Sequence, residues 1–154
     1  MNCDMPTAVR EILTAIKDAW ATTTAFGKNG NTAVDIRWPN NDTGVEPDQT
    51  LPWARVVLQH TAGDQYSLGP PGNRLFEHEG LVVVQIYVPV GRGLATARSL
   101  CMIAKNAFEG TSTPSGVWFR NCHFQEIGQD AENPETKAWD QTNVICQFVY
   151  DEQR

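Results

Sequence analysis

The chain has 154 residues, 41% of them hydrophobic, and a formal net charge of -6 at pH 7. That length fits a single domain, residues 1–154, with a core of its own, and the composition excludes wholesale disorder. The charge balance and the lack of any Lys/Arg run exclude an electrostatic nucleic-acid binder, though not a protein that DNA slides past, since an acidic lumen repels phosphate.

Residues 6 to about 26 predict an amphipathic helix, with Val9, Ile12, Leu13, Ile16 and Trp20 recurring at helical spacing. Asp4 before Pro6 is a start signal, and Gly27, Asn29 and Gly30 supply the expected stop. Residues 34–38 read as a short strand closed by Pro39. Residues 39–52 carry three prolines, a glycine and several Asn/Asp, and so read as a loop. Residues 53–60 form the next expected strand, with Ala54, Val56 and Leu58 on one face and Arg55, Val57 and Gln59 on the other. Gly63, Gly69, Pro70, Pro71 and Gly72 mark residues 61–72 as a second loop.

Residues 73–90 form a long extended stretch. Its first part, 73–79, is polar, and Gly80 suggests a bend or bulge. Its second part is apolar on both faces, with Val82, Val84, Ile86 and Val88 against Leu81, Val83 and Tyr87. Such a strand is central and needs cover on two sides. Residues 94–109 predict a second helix, whose stripe is Leu94, Ala97, Cys101, Ala104 and Phe108, ended by Gly110. Residues 117–127 and 139–150 are two further strands, joined by the polar, acidic segment 128–138. The expected class is therefore α+β: a mixed or antiparallel sheet with two helices packed on one face, in the order α-β-β-β-α-β-β. No window approaches the ~18 apolar residues of a membrane-crossing helix. The first residues lack the basic patch and apolar core of a signal peptide, so a cytoplasmic protein is expected.

No motif carries chemistry. Gly91-Arg92-Gly93 sits where a phosphate loop would sit, but Thr96 occupies the place of the third glycine and no Walker lysine-serine pair follows. The preferred reading is a tight turn, and the alternative is an anion or nucleotide site. His60, His78, His123 and the cysteines show no metal-ligand spacing, so no metal and no cofactor is expected. Cys122 and His123 are adjacent and face apart in a strand, which makes a poor catalytic dyad. Glu77 with Glu79, and Glu126 with Asp130 and Glu132, read as solvated charge rather than a glycosidase pair. Cys3, Cys101, Cys122 and Cys146 include no Cys-x-x-Cys and are expected as free thiols, the second and fourth on apolar faces. Trp20 belongs to the core. Trp38, Trp53, Trp118 and Trp139 lie at strand ends, as edge packing or interface anchors.

Three stretches carry a family likeness. They are the helix Ala8-Val9-Arg10-Glu11-Ile12-Leu13, the strand Trp53-Ala54-Arg55-Val56-Val57-Leu58 after a Pro-rich loop, and the block from Arg74 through Gly80 to Pro89-Val90-Gly91-Arg92-Gly93. With these in order, residues 7 to 150 resemble the phage tail terminator-like proteins, which cap the tail tube of long-tailed bacteriophages. The resemblance implies a structural virion protein of the tail and neck, assembled in the host cytoplasm, and not an enzyme. It implies a hexameric ring that ends tube polymerisation and joins tail to head. The implied partners are the tail tube protein, a head-side connector or stopper and the tape measure protein, with DNA only as passing cargo and no membrane. A head-completion or other neck or tube ring protein is the structural alternative. On this reading Arg55, Arg74, Phe76, Glu77, His78, Tyr87, Arg92 and Trp139 are assigned to subunit or partner interfaces. Asp130, Glu132 and Glu135 are assigned to an acidic lumen. Loop 61–72 with strand 73–79 is expected to reach onto a neighbouring subunit.

Overall fold

In the computed structural model, which describes residues 3–41, 44–129 and 139–154, the first helix, α1, spans Met5–Trp20. Asp4 caps it: its side-chain oxygen accepts the Thr7 N–H at 2.9 Å, and Pro6 occupies the first turn, where a missing N–H does no harm. The helix stops at Trp20, not near residue 26. The Thr22 and Thr23 hydroxyls each donate at 2.7 Å to the carbonyls of Ala19 and Trp20, satisfying acceptors that the next turn would have used. The fully buried Thr23 hydroxyl then accepts the Val34 N–H, and the Trp20 indole donates to the Val34 carbonyl. Two short 3-10 turns, Thr24–Phe26 and Lys28–Gly30, fill the rest of the predicted helix.

The strands are β1 (Asp35–Arg37), β2 (Trp53–Gln65), β3 (Leu75–Pro89), β4 (Trp118–Gln129) and β5 (Trp139–Gln153). The second helix, α2 (Leu94–Phe108), lies between β3 and β4 in the chain. The fold is α+β. One five-stranded sheet has the order β1-β2-β3-β5-β4, and it is mixed: β1 runs parallel to β2 and the other neighbours are antiparallel.

β2 continues through residues expected to be loop. Residues 62–65 pair with 79–76 after a register shift between His60 and Ala62. Gly63 is there for close approach: a Cβ on it would lie 2.9 Å from His78 Nδ1. Gly80 is likewise no bend, since β3 keeps unbroken register with β5 from Leu75↔Gln153 to Pro89↔Trp139. A Cβ at Gly80 would meet the Phe148 ring at 2.3 Å and the Gln59 carbonyl at 2.4 Å, so only glycine lets β2 and the Phe148 ring close on β3.

Ala8, Ile12, Ile16 and Trp20 of α1, Ala97, Leu100, Cys101, Ala104 and Phe108 of α2, and Ala54, Val56, Val82, Val84, Ile86, Val88, Val144, Cys146, Phe148 and Tyr150 of the strands join one apolar cluster. Leu94, expected in the α2 stripe, is 60% exposed, because it opens the helix beyond the sheet contact. The four thiols are free. Burial pushes the Cys3 and Cys101 thiols up to about 11, so both stay protonated and act as small apolar groups. Glu11 ties α1 to the turn before β4, accepting from the hydroxyls of Thr113 at 2.7 Å and Ser115 at 2.8 Å. Among the described residues no helix is long and apolar enough to cross a membrane.

Gly80→Ala is expected to destabilise the protein by about 2–3 kcal/mol, through overpacking against a ring and a backbone carbonyl. Thermal unfolding should show a Tm lowered by roughly 5–10 °C. An unchanged Tm would mean that the Phe148 ring moves aside freely.

Candidate interface surface

Along β3 the even-numbered side chains from Val82 to Val88 enter the core cluster, so the odd-numbered ones point to the opposite face. Cross-strand register builds that second face in rows: Arg55, Gln85 and Asn143; then Val57, Val83 and Ile145; then Gln59, Leu81 and Gln147. An apolar row is thus bordered by amide and guanidinium side chains. Val57 is 38% exposed. The buried cluster on this side, Trp53, Tyr87 and Trp139, contains no helical residue.

That cluster closes one end of the face. The Trp53 and Tyr87 rings stack with centroids 4.3 Å apart, and Trp139 meets Trp53 edge-on at 6.1 Å. The Arg55 guanidinium lies 5.5 Å from the Trp53 ring centroid. Trp53 Nε1 is buried without a hydrogen-bond partner. Tyr87 and Trp139, assigned from sequence to an interface, are therefore nearly buried within the chain, each covering the other's neighbour. Arg55 remains exposed beside them.

Arg74, Phe76, Glu77 and His78 gather at the other end, where β3 leaves the hairpin tip. The Arg74 N–H and C=O bond to the Arg154 backbone at 3.1 and 2.9 Å, and Arg74 Nε donates to the Gly69 carbonyl. The Arg154 guanidinium sits 4.4 Å from the Phe76 centroid. His78 Nε2 lies 2.9 Å from Glu152, and its ring stacks on Tyr150 at 5.1 Å. These contacts lock the hairpin to the chain's last strand, while Glu77 stays exposed. Beyond them the tip exposes Tyr66 and Leu68, the latter at 96%. Arg92 is apart from both groups: in the Gly91–Gly93 turn it donates to the Thr50 carbonyl at 2.9 Å. Asp130, Glu132 and Glu135, assigned to a lumen, lie outside the described residues.

Sequence reasoning missed a groove of about 760 Å³ beside the outer edge of β2, lined by residues 37–41 and 44–47 with Trp53 and residues 55–58. β1 is only three residues long and pairs only with Trp53–Arg55, so β2 has no strand neighbour on that side beyond them among the described residues. Pro39 just after β1 was the available signal, because a proline cannot carry the ladder on.

No described group of three or more His, Cys, Asp or Glu could hold a metal. Cys122 packs toward the core and His123 is exposed, on either side of a register break. Glu79 pairs with Arg120 at 2.9 Å, and Glu126 with Arg98. Gly91 and Gly93, at φ 99° and 88°, make the tight turn into α2.

No protein-family model matches the chain, and no curated protein matches it. A solved structure with 14% sequence identity superposes with a TM-score of 0.53, over 89% of this chain and 94% of that one. At that identity the likeness shows a shared fold alone.

His60 gives a pH test of the hairpin end. Its Nε2 is 2.8 Å from the Tyr150 hydroxyl, and its ring meets Phe148 edge-on at 5.2 Å. Burial, with a smaller contribution from the neighbouring His78, holds the imidazole below its ordinary 6.5. The unfolded chain therefore binds this proton before the folded one does, so the His60 contribution is complete above 6.5 and is lost as pH falls below it. Denaturant titrations carried from above the ordinary imidazole value to below it should show that loss, and His60→Gln should flatten it. An identical pH slope in the variant would remove His60 as the cause.

Proposed function

We propose that this chain is a structural protein that forms a ring capping a bacteriophage tail tube, ends tube polymerisation and offers a surface for joining tail to head. The observation that carries the reading is the second face of the sheet. The apolar row Val57, Val83 and Ile145 lies on a face whose own buried cluster includes no helical residue. The reading takes both helices to cover one face and a neighbouring subunit to cover the other. Apolar surface rimmed by polar groups is how subunit contacts are built, and a head-to-tail contact between identical subunits closes into a ring when the rotation permits.

Other features support it. The hairpin tip exposes Tyr66 and Leu68, which suits contact with a neighbour or an adjacent ring. The acidic net charge suits a conduit through which DNA slides without adhering. The resemblance to tail terminator-like proteins supplies the tube, the head-side connector and the tape measure protein as partners. The proposed location is the virion.

The test is native mass by light scattering, with negative-stain imaging of the same sample and of a mixture with polymerising tail tube protein. The expected result is a closed ring of about six subunits, without filaments, that arrests tube growth. Filaments of the chain alone would favour a tube protein. Tube growth unaffected by the chain would refute the capping role.

Val83→Asp is expected to raise the protein concentration needed for ring assembly by about tenfold or more, because it buries an unpaired charge at the subunit contact. Far-ultraviolet circular dichroism should be unchanged. The Arg74→Glu and Glu77→Arg reversals should weaken the ring if the hairpin reaches the neighbour. A ring of unchanged stability in these two would confine the contact to the sheet face.

A further inference from the structure

The groove beside β2 borders the sheet face, sharing Arg55 and Val57 with it, and adds a bare strand edge that the ring reading does not use. β2 is thirteen residues long, yet β1 pairs only with its first three. From residue 56 onward that edge has no strand alongside among the described residues. An unpaired edge is a row of N–H and C=O groups at strand spacing, which templates one more strand. The first break in β2 comes only after His60, so residues 56–60 are straight and in register.

The opposite edge of the sheet is guarded. β4 has two register breaks, at Arg120/His123 and Glu126/Gly128, with Asn121 and Gly128 at φ 54° and 80°. Such bulges twist an edge away from pairing. The straight edge a second copy could lay against β2 is its own β2, which carries no carboxylate between Trp53 and Gly63 to meet Arg55, so charge favours a segment of a different chain.

The groove states the chemistry of that segment. Its walls hold Trp38, Pro47 and Val45, the last 66% exposed, across from Val57. At its head Arg55 is exposed over the Trp53 ring, and it takes part in none of the ion pairs among the described residues. Trp53, which also lines the groove, has a buried indole N–H without an acceptor, and such a donor is a standing cost that a partner carbonyl would remove. Glu46 stands on the loop wall and Arg55 on the strand side, so the strand side offers a cation, an unpaired donor and a bare edge, which select an extended peptide with a carboxylate at its Arg55 end.

We propose that the edge of β2 and its groove bind an extended acidic segment of a partner protein. It adds as a strand along residues 56–60, with a carboxylate on Arg55 and apolar side chains on Trp38, Pro47 and Val57. Main-chain bonds supply affinity and the alternate side chains supply selectivity.

The test uses the full chain labelled with ¹⁵N, titrated with a short synthetic peptide that has glutamates at one end of a valine-threonine stretch, and separately with its counterpart in which the glutamates are lysines. The expected result is saturable shifts of the amides of residues 56–60 and of the Trp53 indole, with the glutamate peptide binding about tenfold tighter or more. Arg55→Ala should abolish the preference for glutamate. Val57→Asn should weaken both peptides while leaving the other amide positions unchanged. Shifts confined to another surface, equal binding of the two peptides, or no binding at all would overturn the proposal. So would shifts at residues 56–60 that grow with protein concentration alone, which would assign the edge to a second copy. Light scattering on the same samples separates failure of this proposal from failure of the ring reading, because the glutamate preference set by Arg55 does not require a ring.

Discussion

β3 is hydrogen-bonded along both edges, to β2 and to β5, and the remaining architecture hangs on that double pairing. Fifteen residues of unbroken register with β5 give a stiff ribbon whose even side chains all reach the same layer. Val82, Val84, Ile86 and Val88 are almost fully buried there. Each such side chain contributes about 1.5–3 kcal/mol on leaving water. Small helical residues join the same apolar cluster: Ala8 on α1, and Ala97, Cys101 and Ala104 on α2. Small side chains allow close approach, and the large Trp20, Phe108, Phe148 and Tyr150 fill what remains.

The ribbon demands glycine where chains crowd it. Gly80 lies under the Phe148 ring, and Gly63 lies against His78, so the two glycines mark where ring stacking and strand pairing meet. There His78, Tyr150 and Phe148 stack, and His60 meets Tyr150 and Phe148 edge-on. His78 with Glu152, and Arg154 over Phe76, then fasten the hairpin to the end of β5. Several polar residues that looked free for a partner are thus internal fasteners.

The same pairing divides the surface into three kinds. The sheet's second face offers a broad apolar row, the hairpin tip offers exposed Tyr66 and Leu68, and the β2 edge offers backbone with a cation beside it. The first two suit contacts between rigid bodies, as in the proposed ring. The third suits a flexible strand. The sheet face and the β2 edge meet at Arg55 and Val57, which belong to both surfaces.

Local periodicity settled which segments are helix and which are strand. The α1 stripe, the α2 stripe and the alternation of Val144, Cys146, Phe148 and Tyr150 are each legible within a dozen residues, because burial follows the period of the backbone itself. The central place of β3 was legible too, from apolar residues on both of its faces. Where elements stop was not. The end of α1 depends on two threonine hydroxyls and on Val34, fourteen residues beyond Trp20. The extension of β2 past His60 depends on residues 76–79 across the hairpin, so glycine spacing pointed to a loop. The Trp53, Tyr87 and Trp139 cluster and the groove beside β2 join residues far apart in the chain, which no local pattern encodes. The sequence by itself determined the elements and their apolar faces, through periodicity. Only the tertiary structure decided which polar residues fasten the fold and which edge and face stay open, because pairing and contact are made between distant residues.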